Sequence, residues 1–147
     1  MAGARQFFHY VSYVQYPLML LALFFSFKPI IFGFDAIWAD YNKLLVFMGL
    51  GISFSTLQDT QKTQNKLSKR VWENPRWGKI ALLVMSLTTF WVLAFGMFGY
   101  FASENDIIRE LAFGVIVLGI GLIGMLKAAI EMFENHRTDK QQSPMNE

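Results

Sequence analysis

The chain has 147 residues, 54% of them hydrophobic and 16% charged, with a formal net charge of +2 at pH 7. The small net charge argues against nucleic acid as a partner. The absence of cysteine excludes disulfides, thiol nucleophiles and Cys-ligated metals. So apolar a composition predicts a single membrane domain over residues 1–147.

The positions of the charges separate this prediction from its alternative, a soluble four-helix bundle. A soluble amphipathic helix carries a charge every turn or two. Four intervals here carry no charged side chain: 6–27, 44–58, 80–103 and 111–126. With their flanking residues they predict an all-α integral membrane protein with four transmembrane helices in an up-down-up-down bundle. The predicted spans are 7–27, 37–58, 80–101 and 107–130.

The first span, 7–27, begins with polar and aromatic residues and ends as nearly pure hydrocarbon. Aromatic rings with polar tips settle at the headgroup level, so the first half is predicted to be an interfacial anchor. Pro17 is expected to kink the helix, and Lys28 with Pro29 to end it. No small-residue cleavage site follows the apolar stretch, which favours a retained span over a signal peptide.

The second span, 37–58, needs polar residues at its outer end because its uncharged core is too short to cross a bilayer alone. Asp35 is expected to cap the helix at Ala36, and Asp40 to pair with Lys43 at the outer interface. Beyond residue 58 the helix is predicted to continue towards Arg70, until the Glu73-Asn74-Pro75 sequence breaks it.

The polar interval 58–79 is a basic loop between the second and third spans. Basic residues resist translocation, so this loop and both termini are predicted to be cytoplasmic, together with a polar tail over 135–147. That orientation leaves only Lys28, Lys43 and Arg109 outside. Topology explains these charges; binding of anionic lipid headgroups is the alternative. The residues predicted to lie at the membrane surface are Lys66, Lys69, Arg70, Trp72, Arg76, Trp77 and Lys79.

The fourth span follows a sequence that resembles a capping box, Ser103 with Asp106, which predicts a helix start near Glu104. Small residues then recur on one face, where they permit close approach of another helix. These interface candidates are Gly114, Gly121, Gly124 and Ala128. Near the inner boundary Lys127 and Glu131 are one turn apart; snorkelling of Lys127 is favoured over a buried ion pair or a proton relay.

A possible internal repeat relates the two halves at an offset of 66 residues. At this offset Asp40 meets Asp106, and Phe32-Gly33 meets Phe98-Gly99. Two hairpins of the same orientation would form a parallel repeat. A general bias towards Phe, Leu and Gly is the simpler explanation of the match.

No catalytic, cofactor or metal site is predicted. His9 and His136 are the only histidines, and neither has another histidine three or four residues away with which to form a metal-binding pair. The predicted function is therefore that of a non-enzymatic, multi-pass protein of the plasma (inner) membrane, an accessory or assembly subunit. Its expected partners are membrane lipids and either a second copy, giving a homo-oligomer, or a larger membrane protein. The alternative is a homo-oligomeric channel or small-solute carrier whose pathway is lined by hydroxyl groups, namely Ser53, Ser55, Thr56, Ser86 and Thr89.

Overall fold

A computed structural model describes residues 2–57 and 66–138, and the side chains of 6–57 and 70–138. All secondary structure within these residues is helical. Three helices are long and apolar enough to cross a membrane: Gln6–Phe32, Pro75–Ala102 and Asp106–His136. The helices of the described residues are α1 (Ala2–Ser12), α2 (Gln15–Phe32), α3 (Ile37–Ser55), α4 (Lys66–Glu73), α5 (Pro75–Ala102) and α6 (Asp106–His136).

The first apolar helix is interrupted between α1 and α2, at Tyr13 and Val14. The predicted kink at Pro17 therefore lies one turn earlier than the proline itself. Proline has no N–H and its ring clashes with the carbonyl four residues before it, which here is that of Tyr13. The turn instead forms hydrogen bonds between residues three apart in the chain, such as Tyr16 N–H to the Tyr13 carbonyl at 3.1 Å.

Helix α2 continues beyond the end predicted at Lys28 and Pro29. Pro29 lies buried inside the helix, which ends at Phe32. The next residue, Gly33, has φ of 104°, and its N–H donates to the Pro29 carbonyl. Only glycine adopts that φ without a steric penalty, so Gly33 ends α2 and Pro29 does not.

Helix α3 begins at Ile37, where the second span was predicted to begin, but its cap and its other end differ from the prediction. Asp35 does not cap the helix: Ala36 is the N-cap residue and makes no side-chain capping bond. At its other end α3 stops at Ser55, where the Ser55 and Thr56 hydroxyls donate to the carbonyls of Ile52 and Ser53. Such bonds satisfy carbonyls that a continuing helix would use. Residues 58–65 lie outside the described residues, and α4 begins at Lys66.

Asparagine side chains start both long C-terminal helices. At the predicted Glu73-Asn74-Pro75 break, Asn74 accepts a hydrogen bond from the Arg76 N–H, and Pro75 is the first residue of α5. Asn105 accepts from the amides of Ile107 and Ile108 at the start of α6. The capping box predicted from Ser103 and Asp106 is therefore wrong, because Asn105 supplies the capping oxygen.

The main contacts between long helices join α2 to α3, α3 to α6 and α6 to α5. The four helices therefore follow one another in a row, α2–α3–α6–α5, with α2 and α5 at its ends. Contacts of Gly51 with Met19 and of Gly99 with Ala112 indicate antiparallel α2–α3 and α5–α6 hairpins. Gly114 lies near Asn42 and Gly124 near Thr56, so α3 and α6 run in the same direction. Four membrane-spanning helices stay a prediction, since α3 is not among the three described helices that are long and apolar enough to cross a membrane.

The arrangement is symmetric in outline, but it does not follow the 66-residue offset. Helix α2 ends at Phe32 and α5 at Ala102, so the hairpins correspond at an offset about one helical turn larger. Asp40 and Asp106 also differ in setting. Asp40 is buried inside α3, whereas Asp106 is the exposed first residue of α6. The sequence matches at 66 residues do not relate equivalent positions.

Candidate functional site

The glycine face of α6 lies against α3 of the same chain. A Cβ atom built on Gly121 would collide with the carbonyl oxygen of Gly49, and one built on Gly49 would lie 2.6 Å from the Val117 oxygen. These are backbone atoms, which cannot rotate away. Gly121 and Gly49 therefore let the two helices meet at backbone distance.

The other small residues of that face are less tightly enclosed or contact side chains. A Cβ on Gly114 would lie 2.5 Å from the Asn42 side-chain oxygen, and one on Gly124 would lie 3.2 Å from the Thr56 hydroxyl. Ala128 is half-buried. The face predicted as a helix interface is thus occupied by α3. Its use between separate chains stays a prediction.

Polar groups cluster at the end of the α2–α3 hairpin. The Lys28 ammonium lies 2.7 Å from Asp40 Oδ1, and the Asp40 side chain is 3% exposed. The i,i+3 pair predicted between Asp40 and Lys43 is absent, because Asp40 points to α2. Lys43 instead lies over the Phe25 ring, 5.5 Å from its centroid, and Lys28 lies 5.8 Å from the same ring.

Asn42 is directed to the opposite side of α3, towards α6. Its Oδ1 is buried and has no hydrogen-bond partner among the described residues. The nearest neighbour along that face is Gly114, which has no side chain that would donate to it. The polar N-terminal part of α3 thus makes two contacts, Asp40 with α2 and Asn42 with α6.

Helix α4 packs against the N-terminal end of α5 and the C-terminal end of α6. Trp72 is 9% exposed and packs in a cluster with Ala129 and Phe133, and the Gly78 backbone lies against the Phe133 ring. The sequence predicted Trp72 at the membrane surface, whereas its side chain is buried between helices. The indole is enclosed by the protein because α4 lies on α5 and α6. A further link joins the Thr138 hydroxyl to the Glu73 carbonyl at 3.0 Å.

The remaining membrane-surface candidates divide by position. Arg70, Arg76 and Lys79 are exposed, and Trp77 is 61% exposed. The side chains of Lys66 and Lys69 lie outside the described residues, as does most of the predicted tail. Arg76 and Lys79 have no carboxylate partner in the described part of the chain. They are cations available to a ligand at the N-terminal end of α5.

The remaining titratable residues proposed from the sequence contact residues four positions away in the chain. Lys127 Nζ is 3.6 Å from Glu131 Oε1, with the two side chains 79% and 48% exposed, so this pair is not buried. His9 lies 3.4 Å from the Tyr13 hydroxyl, and His136 Nδ1 lies 2.9 Å from the Met132 carbonyl. Within the described residues no group of three His, Asp or Glu side chains could hold a metal.

The hydroxyl groups proposed to line a pathway are bonded within their own helices. The bonds run from Ser53 to Gly49, Ser55 to Ile52, Thr56 to Ser53, Ser86 to Leu82 and Thr89 to Met85. Two of the donors are on α3, Thr56 directly follows α3, and two are on α5; α6 packs against both helices. One copy of the chain therefore does not gather these five hydroxyls around a common axis.

Trp91, to which the sequence analysis gave no role, is exposed in the middle of a predicted span. Trp91 is near the middle of α5 and is 57% exposed. Its ring contacts Phe90 and Phe95, but no described residue accepts a hydrogen bond from its indole N–H. Its distance from both charged flanks of the span is the sequence signal that could have identified it, because tryptophan normally settles at membrane interfaces.

Comparisons with protein-family models, with curated proteins and with solved structures found no match for this chain.

Proposed function

We propose that this chain is a non-enzymatic, four-span protein of the plasma (inner) membrane that acts as an accessory or assembly subunit, through helix contacts with a larger membrane protein or with a second copy. The observation that carries the proposal is the exposed indole of Trp91 in the middle of α5. An indole N–H in hydrocarbon has no water to donate to, so a partner that supplies an acceptor stabilises it.

The surroundings of Trp91 support the same proposal. Thr88, Phe95 and Phe98 share its face of α5 at helical spacing and are exposed. The opposite face, with Thr89, Leu93 and Gly96, is the one that packs against α6. Because α5 is at one end of the row, the Trp91 face has no neighbouring helix within the described main contacts.

A photoreactive phenylalanine analogue at Phe95, one turn from Trp91, tests the proposal in native membranes. We expect irradiation to give an adduct larger than the monomer, whose mass identifies a second copy or another protein. Adding Trp91→Leu should lower the adduct yield, because leucine keeps the apolar surface and removes the N–H. Met97→Leu, a change to an exposed apolar residue on another face of α5, should not.

The matched control for position is the same analogue at Ile120, which is 56% exposed in the middle of α6. It should give no comparable adduct. Absence of an adduct at position 95, in a protein that is also monomeric in lipid nanodiscs, would contradict the proposal.

The second candidate is a homo-oligomeric channel or small-solute carrier. It is supported by hydroxyl groups on the exposed surface of α5, those of Ser86 and Thr88, which a second copy could bring to a shared axis. The purified protein in liposomes should then pass ions or small solutes. Flux equal to that of protein-free vesicles across a panel of ions would remove this candidate.

A further inference from the structure

One face of the inner half of α5 is exposed and continuously apolar. Ile80, Leu83, Leu87 and Phe90 are between 51% and 64% exposed and recur at spacings of three and four residues. The helix rises about 1.5 Å per residue, so the stripe from Ile80 to Phe90 is about 15 Å long. That length equals the hydrocarbon thickness of roughly one leaflet, half of the ~30 Å core.

Two cations lie on the same face, directly before the stripe. Arg76 is four residues before Ile80, and Lys79 is four residues before Leu83. Both side chains are exposed and have no carboxylate partner in the described part of the chain. The opposite face of this turn is closed, since Gly78 lies against Phe133 of α6. The cations are therefore held on the lipid side of the helix.

We propose that Arg76 and Lys79 bind the phosphate of an anionic phospholipid of the inner leaflet, whose acyl chains lie along Ile80, Leu83 and Leu87. This inference rests on the membrane topology within the proposed function. Retention of the loop inside requires only that basic residues be present near the span. It does not require two unpaired cations in register with a leaflet-long apolar stripe, and that register is what selects a bound lipid.

Trp77 gives the site a boundary at the membrane surface. Its ring is 61% exposed one residue after Arg76, at the depth where an amphipathic indole is stable between headgroups and hydrocarbon. The long side chains of Arg76 and Lys79 can extend along the stripe and keep their charges at the same level. A headgroup phosphate at that level would accept hydrogen bonds from both.

Native mass spectrometry of the detergent-purified full chain, offered equimolar phosphatidylglycerol and phosphatidylcholine, tests the site. We expect phosphatidylglycerol to be retained in preference, and the preference to fall about fivefold for each cation removed in Arg76→Gln and Lys79→Gln. Exchange of the two cations, Arg76→Lys with Lys79→Arg, should keep most of it. Circular dichroism should give the same helicity for all variants.

The matched control is Lys127→Gln, which removes an exposed cation that has a carboxylate 3.6 Å away. It should leave the preference unchanged. Equal retention of the two lipids by the unaltered chain, or an equal effect of Lys127→Gln, would overturn the proposal. Glycerol 3-phosphate should not displace phosphatidylglycerol at matched concentration; if it does, the site is a phosphate site and not a lipid site.

The outcome is separable from that of the assembly proposal. A chain that gives no adduct at position 95 but prefers phosphatidylglycerol contradicts assembly and supports the lipid site. A chain that gives the adduct but retains both lipids equally supports assembly and contradicts the lipid site.

Discussion

Gly121 has no side chain, and the α3–α6 contact depends on that absence. A methyl group added there would meet the Gly49 carbonyl, whose position is fixed by the α3 helix. At Gly124 the nearest atoms belong to the Thr56 side chain, at 3.2 and 3.4 Å, and that side chain can move by a few tenths of an ångström. The two glycines therefore differ in how much a substitution should disturb the structure.

We expect Gly121→Ala to lower the thermal stability of the protein in detergent, by about 1 to 3 kcal/mol in unfolding free energy, and Gly124→Ala to change it much less. Leucine should be destabilising at both positions. Ile120→Leu is the control, since that side chain is 56% exposed on another face of α6. Equal melting temperatures for Gly121→Ala and the unaltered chain would contradict the observed α3–α6 contact.

Sequence spacing identified Gly121 and Gly124 as a close-packing face, because recurrence of small residues is a local pattern. It did not identify what the face would meet. Gly49 is more than seventy residues away in the chain, and no local signal pairs it with Gly121. The same limit explains Asp40: a basic residue three positions on was the visible partner, whereas its actual partner, Lys28, approaches only when the hairpin closes.

The α2–α3 hairpin is the element that this ion pair holds together. Asp40 is buried and Lys28 is partly exposed, at 3% and 31% of their side-chain surfaces. Removing the aspartate leaves a lysine that can extend to the headgroups, whereas removing the lysine leaves a buried carboxylate without its cation. The two single substitutions should therefore have unequal effects.

We expect Lys28→Met to destabilise the hairpin by about 3 kcal/mol, and Asp40→Asn by less. The double variant should be more stable than Lys28→Met alone, as measured by thermal unfolding in detergent. Lys43 lies over the same Phe25 ring and could replace Lys28, so Lys43→Met is added to each background. Asp106→Asn, at a 98% exposed carboxylate, should be neutral. A larger loss from Asp40→Asn than from Lys28→Met would contradict this account.

Some helix ends could be predicted from local sequence patterns and others could not. The break at Glu73-Asn74-Pro75 was predictable because proline and an N-cap asparagine act locally. At the start of α6 the capping-box pattern selected Ser103, whereas the Asn105 side chain supplies the capping oxygen. Pro29 was predicted to end the first span, but α2 continues through it to Phe32, and Gly33 ends the helix.

At the scale of the whole molecule, charge-free intervals predicted an all-helical chain, and three helices have the length and apolarity to cross a membrane. Helix α3, the predicted second span, is not among these three, because Asp40, Asn42 and Lys43 reduce its hydropathy. Its contacts argue for a crossing: it runs parallel to α6 and touches it from Asn42 to Thr56. The row α2–α3–α6–α5 itself was not predictable, since it depends on which glycine faces meet across the chain.

The four-span arrangement requires that α3 cross the membrane. Single cysteines in this cysteine-free chain test that crossing directly. Asp35 precedes α3, Glu104 precedes α6, and Gln64, outside the described residues, belongs to the predicted inner loop. With an impermeant thiol reagent, cysteines at 35 and 104 should react in intact cells, and a cysteine at 64 only after permeabilisation. Labelling of positions 35 and 64 from the same side would contradict the four-span arrangement.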